Sequence, residues 1–387
     1  MGKMKLESDQ KDILGGAAGE AHALAIKTLA AYGEAFGANR LVPIRSAHLV
    51  GSFGSTPFTA VFDILERLLK DGARCKVPTT INPRPGADLN LPNRFLFGKQ
   101  KRLEALYSRL GVTPNYSCVS YLSANVPLFG DVIAWAESSA VVFANSVIGA
   151  RTNRNSLLLD ICQSVTGLTP QFGYLLDENR RARVLVKLEI DEMDAAALGF
   201  FIGKTIVDKV AVLENYPFTT EELKDMGGAM AASGGVALYH VEGLTPEAPD
   251  MKTVFDGLPE KTITVRQNDL DSLRDGKNCD PDIVVFGCPQ LTLEQARGLT
   301  RRFASKRIKK RVMFSIIPAD RKKFIASRDG EIAMESGIEV VECCPLAALT
   351  LKPGIKTVLT NSGKLYYYLA GAKYGSINDC FRACGVA

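Results

Sequence analysis

The sequence has no apolar run of about 18 residues free of charge, so it offers no segment suited to crossing a bilayer as a helix. Its first residues, MGKMKLESDQKDIL, carry charges where a secretory signal has its apolar core, which predicts a cytoplasmic protein. The net charge is only +5 over 387 residues, and aromatic residues, at 8%, are not interleaved with basic ones. This composition argues against a nucleic-acid partner.

Two further signatures are missing. The glycine-rich stretch Gly15–Gly19 follows no predicted strand, and its spacing differs from that of a dinucleotide fingerprint. The nine cysteines are odd in number and irregular in spacing, which predicts reduced thiols or metal ligands rather than a disulfide framework. Of the three histidines, His22 and His240 lie outside every motif, so we expect them to have structural roles.

Apolar runs alternate with helical patterns along the chain, which is typical of an α/β fold. Leu41–Val50 and Cys75–Thr80 are predicted strands joined by a helix over Phe58–Asp71, a parallel unit with function at its strand ends. With 46% hydrophobic residues, the chain is long enough for two or three domains. The predicted divisions are a first α/β unit over 1–190, a second over 191–345, and a C-terminal segment over 346–387 that packs back on the cleft.

The stretch Asn115–Arg154 is the most informative part of the sequence. It is rich in small residues, contains the only tryptophan, and ends in the polar run 149–154, GARTNR. Amides, hydroxyls and guanidinium groups directly after an apolar segment are poor core material, because each needs a hydrogen-bond partner. Arg presents a planar fork that matches both oxygens of a carboxylate, so this stretch predicts the floor of an active site.

Three cysteines share a context that differs from that of the other six. Cys118, Cys288 and Cys344 each lie at a turn, and proline follows the last two directly, which predicts strands that stop there. Strand ends of an open α/β sheet face the ligand crevice, so three thiolates from distant points could hold an iron–sulfur cluster. An inert, buried role is the alternative for each of them, and Cys343 is a rival to Cys344.

Taken together, these residues resemble the aconitase X family, the small branch of the aconitase superfamily. The resemblance covers nearly the whole chain, and its most specific block is 144–154, ANSVIGARTNR. The other motifs that carry it are Ser46–His48, Pro78–Asn82, Ala134–Ala140, Gly287–Pro289 and Thr360–Lys364.

This resemblance implies an aconitase-like α/β fold, with two or three α/β/α domains and mostly parallel sheets around a central cleft. It implies a hydro-lyase that dehydrates a small hydroxy acid with cysteine-ligated iron, as a 4Fe–4S or 2Fe–2S cluster or as mononuclear iron. The segment Leu159–Cys162 favours the bacterial type, which converts cis-3-hydroxy-L-proline to pyrroline-2-carboxylate and water. A separate small subunit carrying a swivelling domain and a catalytic serine is also implied, since the large unit accounts for the whole chain.

Carried over residue by residue, the resemblance places functional roles at three groups of positions. The metal ligands are Cys118, Cys288 and Cys344. The substrate-binding residues are Asn145, Arg151, Thr152, Asn153 and, after the strand of His48, Ser52. The resemblance also places His48, Ser362 and Lys364 at the site from neighbouring strand ends, and these are the catalytic candidates together with Glu137, which is chosen for its apolar neighbours.

Each catalytic candidate has a plainer alternative. His48 would position the leaving hydroxyl, or it is a hydrogen-bonded core histidine. Glu137 lies among apolar neighbours that would raise its pKa and make it an acid, or it is an ion-pair partner of Arg151 or Arg154. Lys364 would contact a carboxylate or phosphate, or it is a surface lysine.

Two other functions stay open. Dehydration of mevalonate 5-phosphate would need a further cation for the phosphate, and Lys364, Arg180 or Arg84 could supply it. A protein of another class, a non-catalytic iron-binding or redox-sensing homologue, would keep the fold and the cysteines without turnover.

Overall fold

The computed structural model describes residues 4–51, 59–85, 94–350 and 354–386. It divides into two compact units. The N-terminal unit contains the described residues up to Arg181, except for 83–85 and 117–119. The C-terminal unit contains these two short segments together with the described residues from Ala182 onward, so Cys118 belongs to the unit that also holds Cys288 and Cys344.

The N-terminal unit combines short strands with longer helices. Its strands are β1 Leu41–Pro43, β2 Ala47–Leu49, β3 Thr79–Ile81, β4 Ala134–Trp135 and β5 Leu168–Pro170. Its α-helices are α1 Ser8–Leu14, α2 Glu20–Ala35, α3 Thr59–Lys70, α4 Arg94–Leu110, α5 Ser138–Phe143 and α6 Leu157–Thr166. Single turns of other helix types are Ser120–Leu122, Gly173–Leu175, Asp177–Arg180 and the π-helical Ala144–Ile148. The parallel sheet has the order β3-β2-β4, and β1 pairs separately with β5.

The predicted single strand Leu41–Val50 is wrong, because the structure divides it into β1 and β2. β1 pairs antiparallel with β5, whereas β2 pairs parallel with β3 and β4. Pro43, the last residue of β1, has no amide hydrogen and cannot continue a ladder. The break leaves β2 in the middle of the parallel sheet, with His48 at its centre.

The apolar faces of α3 and α4 cover this sheet. Leu65, Leu106 and Leu110 pack in one buried cluster with Leu49 of β2 and Ile81 of β3. Burying apolar side chains contributes about 25 cal/mol for each Å² removed from water, so this contact is a main source of stability for the unit.

Asp160 is an ionisable residue buried in the interior of the same unit. It lies in the first turn of α6 and is fully buried. Neither oxygen of its carboxyl group has a hydrogen-bond partner among the described residues. Burial therefore raises the pKa of Asp160 well above its usual value.

Changing Asp160 to asparagine is expected to stabilise the protein near neutral pH by about 2 kcal/mol, because the folded protein must take up a proton that asparagine does not need. The pKa of Asp160 is higher in the folded protein than in the unfolded one. Its burial therefore costs no extra stability below about pH 4, and the cost grows as the pH rises toward the folded pKa. Urea unfolding, followed through Trp135 of the same unit, should show the gain near pH 7 and almost none near pH 4. A loss of stability near pH 7 would mean that Asp160 is charged and stabilised.

The C-terminal unit contains two parallel sheets. Its strands are β6 Val184–Glu189, β7 Ala211–Leu213, β8 Tyr239–Val241, β9 Lys261–Arg266, β10 Ile283–Leu291, β11 Arg311–Ile316, β12 Ile338–Val341, β13 Val358–Thr360 and β14 Ala372–Tyr374. Its helices are α7 Ala195–Ile206, α8 Thr220–Gly234, α9 Met251–Val254, α10 Gln267–Asp271, α11 Leu293–Phe303, α12 Pro318–Ile325, α13 Arg328–Glu335, α14 Pro345–Thr350, α15 Gly363–Tyr368 and α16 Ile377–Ala383. The strand orders are β8-β7-β6-β9 and β12-β11-β10-β13-β14. The predicted α/β fold with mostly parallel sheets is confirmed.

Helices α7 and α8 pack closely because glycines line their contact. A Cβ atom on Gly199 would lie 2.1 Å from the carbonyl oxygen of Met226, and one on Gly234 would lie 2.0 Å from that of Gly203. The predicted cap of α8 is confirmed: the Thr219 side chain accepts from the Glu222 amide, and Glu222 accepts from the Thr219 amide.

None of the described helices is both long and apolar enough to span a membrane.

The second sheet has a topological switch point at its centre. The chain passes from β10 through β11 to β12 on one side and then crosses to β13 and β14 on the other. A cluster that includes Phe286, Phe303, Phe314 and Phe381 packs beside the strands. In open α/β sheets, ligands bind beyond the carboxyl ends of the strands where the strand order reverses, which here is between β10 and β13.

Candidate functional site

Cys288 and Ser362 lie together at this switch point. Cys288 is in the last part of β10, and Ser362 follows β13. Both line a cavity of about 240 Å³, along with Asn361 and Arg302. The Ser362 hydroxyl donates a hydrogen bond to the main-chain carbonyl of Cys288, so the two loops are directly joined.

The local strand geometry at Cys288 differs from the prediction that β10 stops there. Regular pairing with β11 is interrupted after Phe286 and resumes at Leu291. Gly287 has a φ of 103°, and a Cβ atom there would lie 2.3 Å from the carbonyl oxygen of Ser315. The chain therefore bulges out of the ladder at Cys288 and then continues as a strand, a device that re-aims a side chain.

Ser362 also begins a helix. Its hydroxyl oxygen accepts a hydrogen bond from the amide of Leu365 at 3.0 Å, which makes Ser362 the N-cap of α15. Lys364 lies in the first turn of this helix and is half-buried. The two predicted catalytic residues thus lie together at the start of α15.

Gln290, which sequence reasoning missed, connects the three cysteine segments. Its main-chain amide donates to the sulfur of Cys118 at 3.4 Å, and its side-chain oxygen accepts from the amide of Cys118 at 3.3 Å. Its side-chain nitrogen donates to the carbonyl of Glu342, two residues before Cys344, at 3.2 Å. Since Gln290 is itself two residues after Cys288, all three predicted ligands lie on loops that meet at one buried glutamine.

A buried lysine supports this arrangement. Lys224 of α8 is 1% exposed, donates to the main-chain carbonyl of Gln290 at 3.3 Å and pairs with Asp225 at 2.7 Å. Such a buried ammonium is stable only with partners, so it ties α8 firmly to the loop of Gln290. The only sequence signal for either residue was the position of Gln290 directly after the Cys288-Pro289 motif.

Cys118 and Cys344, the other two predicted ligands, both lie next to helical turns. Cys118 lies in a turn before the single helical turn Ser120–Leu122, so its predicted place at a turn is confirmed, and no strand ends at it. Cys344 follows β12 and immediately precedes α14, and its amide donates to the carbonyl of Arg84 at 3.0 Å.

The three thiols fit an iron centre in their chemistry and in the meeting of their loops, because cysteine sulfurs are the usual ligands of iron–sulfur clusters. Within the described ranges, no group of three or more His, Cys, Asp or Glu side chains is arranged to hold a metal ion, so the three cysteines stay predicted ligands.

Other cysteines have an environment that suits a structural role. Burial raises the pKa of the Cys162 thiol to about 11 and that of Cys384 to about 12. Both thiols are thus protonated and unreactive near neutral pH, as expected for core residues.

In the N-terminal unit, His48 is buried at the centre of the parallel sheet. It is the register partner of Thr80 on β3 and of Trp135 on β4. Its Nδ1 atom lies 2.8 Å from the Thr80 hydroxyl and 3.3 Å from that of Ser120. Burial lowers the pKa of His48 to about 4, against a smaller opposing effect of Glu137, so the ring is neutral at neutral pH.

The polar block after α5 is held together by its own hydrogen bonds. The side chain of Asn145 donates to the carbonyl of Thr152 at 2.9 Å and accepts from its amide at 3.0 Å, closing the loop between them. Asn153 donates to the carbonyl of Phe172 at 3.0 Å and accepts from the amide of Tyr174 at 2.9 Å. The side chains of Asn145 and Asn153 therefore shape the loop, and their predicted substrate contacts stay predictions.

Arg151 is the member of this block with an exchangeable partner. Its guanidinium contacts the Asp177 carboxylate at 2.5 Å and donates to the carbonyl of Leu175 at 3.1 Å. It lowers the pKa of Asp177, whose side chain is 77% exposed. An ion pair with so exposed a partner contributes little, so a substrate carboxylate could replace Asp177.

Arg180 stabilises the block 144–154 by hydrogen bonds to Asn145 and Ala150. Its guanidinium, which is 3% exposed, donates to the carbonyls of Asn145, Ala150 and Tyr174 at 2.9, 3.1 and 3.0 Å and to the Asn145 side chain at 3.3 Å. These neutral acceptors occupy the donors that a phosphate would need. The suggestion that Arg180 could bind phosphate is therefore not supported by its surroundings.

Of the predicted residues Glu137 and Ser52, only Glu137 lies within the described part of the chain. Glu137 is 8% exposed, immediately precedes α5, and accepts a hydrogen bond from the Ser139 hydroxyl at 3.3 Å. Ser52 lies outside the described residues.

Comparisons with known proteins give consistent matches along the chain. The models of the aconitase X first, second and third domains match residues 3–178, 182–275 and 281–385. A phosphomevalonate dehydratase large subunit from Thermococcus kodakarensis is 35% identical, over 94% of this chain and 95% of that protein. A cis-3-hydroxy-L-proline dehydratase from Pseudomonas aeruginosa is 32% identical, over 98% of this chain and 70% of that protein. The crystal structure of Thermococcus kodakaraensis aconitase X in its holo-form superposes with a TM-score of 0.90 at 33% identity, covering 99% of this chain and 100% of that one.

Proposed function

Because the chain belongs to the aconitase X family, we propose that it is the large subunit of a hydro-lyase that dehydrates a small hydroxy acid. The observation that carries this proposal is the meeting of the three cysteine loops at Gln290 beside the switch point of a parallel sheet. The Thermococcus relative is named a large subunit, which supports a separate small subunit as the partner.

Mevalonate 5-phosphate is the substrate we place first. This choice differs from the preference drawn from Leu159–Cys162, and it is supported by the identity of the Thermococcus phosphomevalonate dehydratase, 35% against 32% for the Pseudomonas protein. A phosphate needs a cation, and we assign this role to Lys364, in the first turn of α15, rather than to Arg180, whose guanidinium is buried among the carbonyls of the loop that it holds.

The proline derivative is the second candidate, since the Pseudomonas relative that acts on it matches 98% of this chain. It carries a carboxylate and no phosphate, so turnover would then depend on Arg151 and not on Lys364.

We propose that Cys118, Cys288 and Cys344 hold the iron or iron–sulfur centre that the resemblance implies. When bound there, iron would act as a Lewis acid toward the substrate hydroxyl. Gln290 would keep the three loops in place and donate its amide hydrogen to the sulfur of Cys118.

The other roles fall to side chains of this chain and to the partner. Arg151 exchanges the exposed Asp177 for the substrate carboxylate. His48, neutral and buried, donates a hydrogen bond and takes up no proton at neutral pH. The base that removes the proton next to the carboxylate would come from the small subunit.

A direct assay tests this proposal. Iron-reconstituted chain with its small subunit is expected to release water from mevalonate 5-phosphate, measured as formation of the unsaturated acid, and to turn over cis-3-hydroxy-L-proline at least tenfold more slowly. The reverse preference would favour the second candidate. Stoichiometric iron without turnover of either compound would reject the hydro-lyase and favour the non-catalytic, iron-binding or redox-sensing homologue.

A further inference from the structure

A chain of buried polar side chains leads to His48 from one side of its sheet. The Asn125 amide nitrogen donates to the carbonyl of Ala47 and to the hydroxyl of Thr80, both at 3.0 Å. Because the Ala47 carbonyl only accepts, the nitrogen of the Asn125 amide must face it. Both hydrogens of that nitrogen are then used, and one of them is given to Thr80.

The Thr80 hydroxyl, which accepts from Asn125, donates in turn to His48. Its oxygen accepts from Asn125, so its own hydrogen must find another acceptor. Nδ1 of His48 is 2.8 Å away, whereas the carbonyl of Ala47 is 3.5 Å away and already accepts from Asn125. The shorter contact identifies Nδ1 as the acceptor. The hydroxyl of Ser120, 3.3 Å from Nδ1, can donate to the same atom.

A neutral imidazole with Nδ1 accepting carries its proton on Nε2. This Nε2 atom is buried and has no hydrogen-bond partner among the described residues. An unused buried donor costs free energy, so its persistence indicates a partner that arrives with a ligand. Such a partner must be an acceptor, and every hydroxy-acid substrate offers oxygens.

We propose that Asn125 and Thr80 are positioning residues that hold His48 as the Nε2-protonated tautomer, and that Nε2 donates a hydrogen bond to an oxygen of the substrate. This inference rests on the proposed function and adds two residues to it. Low exposure, 2% for Thr80 and 7% for Asn125, keeps competing water away from the chain of hydrogen bonds. Burial also lowers the pKa of His48 to about 4, so the tautomer is neutral under working conditions.

Nitrogen NMR of histidine-labelled protein tests the tautomer without any activity. The chain has only three histidines, and His48→Gln identifies the His48 signals by their loss. Wild-type protein near neutral pH should show Nδ1 unprotonated and Nε2 protonated. Thr80→Val should shift the population toward Nδ1–H, whereas Thr80→Ser, which keeps the hydroxyl, should retain the wild-type pattern. Protonated Nδ1 in the wild type would overturn the proposal.

Kinetics of the iron-loaded complex test the donor role. Thr80→Val should lower kcat/KM by roughly tenfold or more, while Thr80→Ser should stay within a few-fold of wild type. A fall in kcat points to the leaving hydroxyl as acceptor, and a rise in KM points to the carboxylate. Equal activity of the two variants would overturn the donor role. If neither hydroxy acid is turned over but the NMR pattern is as expected, the proposed function fails and the tautomer assignment stands.

Discussion

Changing Cys344 to serine is expected to lower turnover by about a hundredfold or more and to leave the reconstituted chain short of iron. A serine hydroxyl is not a thiolate and does not replace it as an iron ligand. The main-chain contact of Cys344, from its amide to the carbonyl of Arg84, is independent of the side chain and should persist. Iron and sulfide per chain, the visible absorption spectrum and the dehydration rate measure the outcome.

Cys343 provides a matched control at the adjacent position. Its carbonyl accepts a hydrogen bond from the Ser315 hydroxyl at 2.7 Å, a contact that serine at position 343 would keep. Cys343→Ser is therefore expected to retain iron and most of the activity. If Cys343→Ser loses iron and Cys344→Ser keeps it, Cys343 is the ligand. If both keep iron, the three-cysteine proposal is wrong.

The sequence predicts which residues belong to this site, but it does not show which of them bind substrate and which of them shape the loop. The block 144–154 is recognisable from its letters, and arginine among amides predicts a polar site there. Asn145 pairs with Thr152 inside the block, but it also accepts from Arg180 beyond the block, and the partners of Asn153 are Phe172 and Tyr174. Such long-range hydrogen bonds do not affect the local sequence pattern. From the sequence alone, a residue that shapes a loop therefore cannot be distinguished from one that binds substrate.

The fold shows the same boundary between local and distant information. Alternating patterns predict parallel α/β units because each pattern depends on nearby residues. The switch point depends on β13 crossing to the far side of β10, which places Ser362 beside Cys288. Gln290 is a neutral residue whose importance comes entirely from where Cys118 and Glu342 are brought by the fold, so no pattern of residue types would have selected it.

Changing Arg180 to methionine is expected to destabilise the N-terminal unit by about 3–5 kcal/mol. Methionine fills much of the same volume, but it leaves the carbonyls of Asn145, Ala150 and Tyr174 buried without their donor. Each of these groups then costs about 1–3 kcal/mol, partly offset by local rearrangement and water. Urea unfolding measures the change, and Trp135, the only tryptophan, reports on this unit because it is fully buried there.

Arg181 is the matched control, since it is adjacent in sequence and exposed. Arg181→Met should change the unfolding free energy by less than about 0.5 kcal/mol, as is usual for a surface position. Arg180→Lys separates charge from geometry, because an ammonium on a flexible stem cannot reach three carbonyls as a planar guanidinium does. If Arg180→Lys is as stable as wild type, one charge suffices and the fork is unnecessary. If Arg180→Met is stable but loses turnover, Arg180 acts on the substrate after all, and the geometry that assigns it to the loop is misleading.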